Sequence, residues 1–167
     1  MRISLRIFGI ILICFWSCKN PNDKTESITD QKVAILLNSE QNKWLEENYG
    51  LKKWTPTGKD LNIVQEVLDK AIHNKEFDFL KKPTKQSVEK YYRQYIPYIN
   101  ENGERIIEIN AFCEILENPP ENRINEWTKL DWRTEYVIVD DGGDCYWQIT
   151  INLDTKKYNN LMVNGEA

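Results

Sequence analysis

The sequence predicts an α+β domain in which one amphipathic helix packs on an antiparallel meander of about five strands. Three observations carry this. Leu61, Val64, Leu68, Ala71 and Ile72 recur at three- and four-residue spacing, the period of a helix with one buried face. Residues 105–116 and 145–153 alternate apolar and polar side chains, the period of a strand. Turn-forming runs, Glu101-Asn102-Gly103-Glu104 and Asp140-Asp141-Gly142-Gly143-Asp144, mark where strands reverse.

Taken in order, residues 30–50 read as a first helical stretch, with Val33, Leu36, Leu37 and Trp44 apolar among polar residues and Gly50 at its end. Residues 54–58 form a turn. Thr57 and Asp60 then have the spacing of a capping box, with Asp in place of Glu, and open the helix of about four turns described above. Residues 88–99, rich in Tyr and Ile, form the first long strand. Pro97 lacks an N–H, which places it on an edge or at a bulge. The Asn102-Gly103 pair turns the chain into residues 105–116. There Ile107, Ile109, Ala111, Cys113 and Ile115 share the core face, and Glu108, Asn110, Phe112 and Glu114 share the polar one.

Residues 117–122 hold Pro119-Pro120 and read as a loop, with a short turn of helix before Trp127. Residues 134–139 and 145–153 read as a second hairpin around the acidic turn. Cys145, Trp147, Ile149, Ile151 and Leu153 face one way, and Tyr146, Gln148, Thr150 and Asn152 the other. Residues 154–157 lead into a last strand, 158–163. Helix and meander packed as two layers resemble the element order of cystatin-like and NTF2-like domains.

The N-terminus predicts an address. Arg2 and Arg6, an apolar run over residues 7–16 and the small Ser17 follow the order of a secretory signal. The run falls short of the roughly 20 residues a spanning helix needs. Phe15-Trp16-Ser17-Cys18 resembles the lipobox of bacterial lipoproteins, although Phe15 and Trp16 are bulkier than that pattern prefers. The resemblance implies cleavage before Cys18, acylation of its thiol and attachment to a cell-envelope membrane, the outer membrane or a periplasm-facing leaflet. Residues 18–30 are then a polar, flexible leash and residues 31–167 a single α+β domain.

Without residues 1–17 the chain keeps 150 of its 167 residues, with 20 basic and 26 acidic side chains, a net charge of −6. Scattered Lys and Arg on so acidic a chain argue against nucleic acid as a partner. Lys81, Lys82 and Lys85 read as a solvated loop. His73 is the single histidine, so a closed zinc site is not expected. No phosphate loop, nucleophile elbow or metalloprotease motif occurs, and no cofactor is expected.

Four constellations remain. Asp140, Asp141 and Asp144 offer oxygens for a cation, yet Asp and Gly are also what a plain turn requires. Cys113 and Cys145 both fall on core faces by parity, as a disulfide or as two buried thiols. With residues 134–139 as an intervening strand they would sit at opposite ends of the sheet, against the roughly 7 Å Cα separation a bridge tolerates. Glu108 and Glu114 lie about 20 Å apart along one strand, too far for a glycosidase pair. Phe112 and Tyr146, beside Tyr92 or Tyr95, form either an aromatic binding face or cross-strand pairs that steady the sheet.

The C-terminal half, with Val139-Asp140-Asp141-Gly142-Gly143-Asp144-Cys145-Tyr146-Trp147 and the ending Val163-Asn164-Gly165-Glu166-Ala167, resembles small lipoproteins of Bacteroidota. That resemblance implies a shared fold and brings no activity with it. The sequence thus predicts a tethered, non-catalytic module that binds a protein or a glycan. Its alternative is a small hydrolase using the turn carboxylates, with or without a cation.

Overall fold

The computed structural model describes residues 30–120 and 126–165, so the signal segment, Cys18 and most of the leash lie outside the described residues. What is described is a mixed α+β fold with three helices and a mostly antiparallel sheet.

The stretch expected as one helix is a strand followed by a helix. Val33, Ala34 and Leu36 bury alternately on opposite sides, so β1 (Val33–Ile35) forms and lies parallel to a later strand. Ser39 then starts α1 (Glu40–Tyr49): its N–H and hydroxyl donate to Asn42 Oδ1 at 2.9 and 2.7 Å. β2 (Lys52–Lys53) follows directly. The helix expected from residue 61 is α2 (Gly58–His73), where Asp60 accepts from the Thr57 N–H at 2.8 Å as the capping pattern requires. Val64, Val67, Leu68 and Ala71 form its buried face. α3 (Lys85–Glu89), capped by Thr84, occupies the start of what was expected as strand.

β3 (Tyr92–Ile99) and β4 (Arg105–Phe112) pair along their whole length. Against the other edge of β3, β1 reaches Tyr95 and β2 takes Tyr98 and Ile99. Pro97 falls in the gap between those two short strands, where a missing N–H costs no ladder bond. A two-stranded ribbon, β5 (Glu117–Asn118) with β6 (Thr128–Lys129), then leaves the sheet. β7 (Tyr146–Asn152) returns beside β4, and β8 (Lys157–Val163) closes the order β1-β3-β4-β7-β8.

Residues 134–139 are the main departure. They are not a strand; they cross one face of the sheet, so β4 pairs with β7 directly. The sheet therefore has two buried faces. On one, α2 with Phe77, Leu80 and Val88 covers Ile107, Ile109, Ala111, Trp147, Ile149 and Ile151. On the other, Leu36, Leu45, Trp132 and Val137 cover Ile96, Phe112 and Tyr146. At one end of the sheet, Arg105 joins Asp60 at the head of α2 to Asp154 beyond β7, at 2.8 and 2.6 Å. At the other end, Arg93, almost wholly buried on β3, holds the Asp30 carboxylate ahead of β1.

Candidate binding groove

The second face is closed by side-chain amides. Gln94 on β3, Asn110 on β4 and Gln148 on β7 occupy one cross-strand row. Gln94 Nε2 donates to the Trp132 and Glu135 carbonyls, both at 2.6 Å, and its Oε1 accepts from the Val137 N–H at 3.0 Å. Asn110 Nδ2 donates to the Val137 carbonyl at 2.8 Å. The segment 130–139, which we call the strap, thus finds in side chains the partners a strand would find in backbone. Trp132 and Val137 are its two buried anchors, with Trp132 edge-on to Tyr92 and Phe112.

Tyr136 pins the middle of the strap. Its hydroxyl donates to Glu108 Oε1 at 3.1 Å and accepts from Gln148 Nε2 at 3.2 Å. Burial pushes the Glu108 carboxyl above the ordinary carboxylate range, against the opposing pull of the Tyr136 hydrogen bond. Burial, then the Glu108 charge and its hydrogen bond, hold the Tyr136 phenol well above its usual value. Tyr98 is pushed up to about 12 by burial and by Glu108. The Glu108 carboxylate is thus half-buried under the strap and held by the Tyr136 hydroxyl.

Outside this contact lies a groove of about 770 Å³ between the start of α1 and the strap. Asn38, Ser39, Glu40, Gln41 and Trp44 form one wall, and Thr134, Glu135, Tyr136 and Ile138 form the other. Trp44 is 47% exposed and Ile138 75% exposed, on a chain whose other aromatic clusters are mostly buried. The volume lies within the roughly 300–1,000 Å³ of small-ligand sites. The groove thus sets exposed apolar area beside polar side chains, the mixture found in small-ligand sites.

The residues singled out from sequence fall elsewhere. Phe112 and Tyr146 are not an open binding face: both are buried, because the strap covers them. They stand directly opposite each other, and Phe112 stacks on Tyr92 with centroids 5.7 Å apart, so they form the cross-strand aromatic row. Cys113 and Cys145 are joined by a disulfide with Cα atoms 5.0 Å apart. Their positions continue the β4–β7 register by one pair beyond Phe112 and Tyr146, because no strand intervenes. Cys113 is exposed and Cys145 half-buried against the second face, so the shared core placement inferred from parity is corrected.

Asp140, Asp141 and Asp144 are exposed, and among the described residues no three His, Cys, Asp or Glu side chains gather as a metal-holding group. The turn that carries them is fastened through its backbone. Asn164 Nδ2 donates to the Asp141 carbonyl at 3.1 Å, and the Tyr91 hydroxyl to the Asp144 carbonyl at 2.8 Å. Gly142 has φ +101, and a Cβ there would meet the Tyr146 ring at 2.5 Å, so glycine is required. Glu114 is an exposed surface acid, whereas Glu108 is half-buried and bonded to Tyr136.

Sequence reasoning missed Ile138, assigned to a strand, and left Trp44 as an apolar helix position. Leu45 carries the buried face of α1, which turns its neighbour Trp44 outward. The amides at 94, 110 and 148 were visible as polar residues, but their common row appears only once the register is known.

No protein-family model, curated protein or solved structure matches this chain.

Proposed function

We propose that this chain is a lipid-anchored protein of the bacterial cell envelope that acts as a non-catalytic binding module, receiving its partner in the groove between α1 and the strap. The observation that carries the binding role is the groove itself, a cavity of about 770 Å³ in which the exposed Trp44 and Ile138 sit beside the polar Gln41, Thr134 and Glu135. The turn carboxylates form no cation site among the described residues, and Glu108 lies beneath Tyr136. Neither favours a hydrolase.

The anchor is supported by the basic, apolar, small order of residues 1–17 and by Ser17-Cys18, with a polar leash to follow. Acylation of Cys18 would place the module at a membrane surface, and the leash would let the groove face outward. For the finer fold, α2 ahead of the run β3-β4-β7-β8 supports the cystatin-like or NTF2-like order. The resemblance of the C-terminal half to small Bacteroidota lipoproteins fits the same address.

The test captures envelope material on purified full-length protein. Trp44→Ala and Ile138→Asp should each lose the captured partner, whereas Trp127→Ala, at an exposed tryptophan outside the groove, should keep it. Equal capture by all four proteins would refute the groove. Cys18→Ala tests the address: it should leave the membrane fraction, and its continued fractionation with membranes at unchanged mature mass would refute the tether.

A further inference from the structure

The lining of the groove narrows the ligand, an inference that rests on the binding role proposed above. We propose that the groove takes a neutral saccharide chain, with one sugar ring laid on Trp44 and its hydroxyls bonded to Gln41 and Glu135. The Trp44 ring is presented as a platform, half exposed and braced by Tyr49 in a T-shaped pair with centroids 5.2 Å apart. A pyranose offers one face of C–H groups. Against an indole, that face buries apolar area and sets weakly positive hydrogens on the negative π-cloud.

The polar partners suit hydroxyls. Gln41 presents both a donor amide and an acceptor carbonyl, and Glu135 an acceptor carboxylate, which together match the alternating donors and acceptors of a diol. Glu135 gives its backbone carbonyl to Gln94, which fixes the residue at the groove wall. Charge then selects against anions. Glu40 and Glu135 both line the groove and no Lys or Arg does; of the cations that touch its lining, Lys43 is paired with Glu40 at 3.0 Å and Lys53 donates to Asn38 at 3.4 Å. A phosphorylated, sulfated or uronic ligand would meet like charge on a chain that is itself acidic.

The experiment uses the full-length chain in a detergent without a sugar head group. Saturation-transfer NMR is run with cellohexaose, maltohexaose and chitohexaose as neutral probes and with oligogalacturonate as the anionic one. Transfer to at least one neutral probe is expected, with none to the anionic probe. Trp44→Ala should weaken binding roughly tenfold or more, as removal of an aromatic hot spot does, and Glu135→Ala should weaken it less. Trp127→Ala should bind as the wild type does. Silence with all three neutral probes, or transfer undiminished in Trp44→Ala, overturns the saccharide assignment. If the sugars are silent while capture of an envelope protein still depends on Trp44, the groove is a protein site and only the ligand class fails. If capture is also independent of Trp44, the binding role itself fails.

Discussion

Gln94 on β3 and Asn110 on β4 stand opposite each other, and the Asn110 amide donates to the Gln94 carbonyl oxygen at 3.0 Å. That single bond orients both amides so that their remaining groups meet the strap backbone at Trp132, Glu135 and Val137. The groove depends on this arrangement, because one of its walls is the strap.

Gln94→Leu should therefore cost more than a surface substitution. It leaves two carbonyls and one N–H of the strap without their partner, and a destabilisation on the order of 3 kcal/mol is expected for buried groups so orphaned. Urea unfolding monitored by tryptophan fluorescence measures it. Gln148→Leu, which reaches the strap only through the Tyr136 hydroxyl, should cost less.

Glu108 should make stability depend on pH. Its folded-state value is raised by burial, so the folded chain keeps the proton over a range where the unfolded chain has released it. The stabilisation from this group is fully present below the unfolded value and is lost as pH rises through the raised folded value. Glu108→Gln removes the buried charge and keeps an acceptor for Tyr136. Its unfolding midpoint should exceed that of the wild type at about pH 8, and the gap should close toward about pH 4. A gap that widens toward acid would contradict the burial of this carboxylate.

The disulfide should contribute through the unfolded chain. Cys113 and Cys145 are 32 residues apart, and loss of a bridge closing a loop of that size costs about 3–4 kcal/mol. Because Phe112 and Tyr146 pair beside it, the reduced protein should keep the β4–β7 register. Far-ultraviolet circular dichroism should be unchanged on reduction, with a lower urea midpoint.

Asp30 should matter despite its position at the edge of the domain. Arg93 is buried on β3, and Asp30 is its counter-ion. Asp30→Asn should destabilise by roughly 3 kcal/mol, at the low end for a broken buried pair because Asp30 is itself partly open to solvent. Asp154→Asn is the contrast. Its carboxyl is held below the usual range by the Arg105 hydrogen bonds, yet it is solvent-exposed and should cost no more than about 1 kcal/mol.

Local periodicity made much of this fold legible. The spacing of Leu61 to Ile72 marks α2, the alternation of Ile107, Ile109 and Ala111 marks the face that α2 covers, and Asn102-Gly103 marks the turn between β3 and β4. What stayed hidden depends on contacts distant in sequence. Tyr136, Val137 and Ile138 have the composition of a strand, but the amides of Gln94 and Asn110 hold the backbone of Glu135 and Val137 in place of a strand partner. Phe112 and Tyr146 look like an exposed aromatic face only while nothing is known to lie over them. The choice between a disulfide and two buried thiols stayed open because of the same segment, since a strand inserted at 134–139 would drive the two cysteines apart. For the groove, Trp44 was visible in sequence only as an apolar helix position, and its exposure follows from α1 burying Leu45.

Amide hydrogen exchange of the full-length chain, with and without a detergent extract of its own membranes, tests the groove most directly. Slowed exchange confined to residues 38–44 and 134–138 is the expected result, with the outer edge of β8 unchanged. Protection along Lys157–Val163 with none at the groove would contradict it.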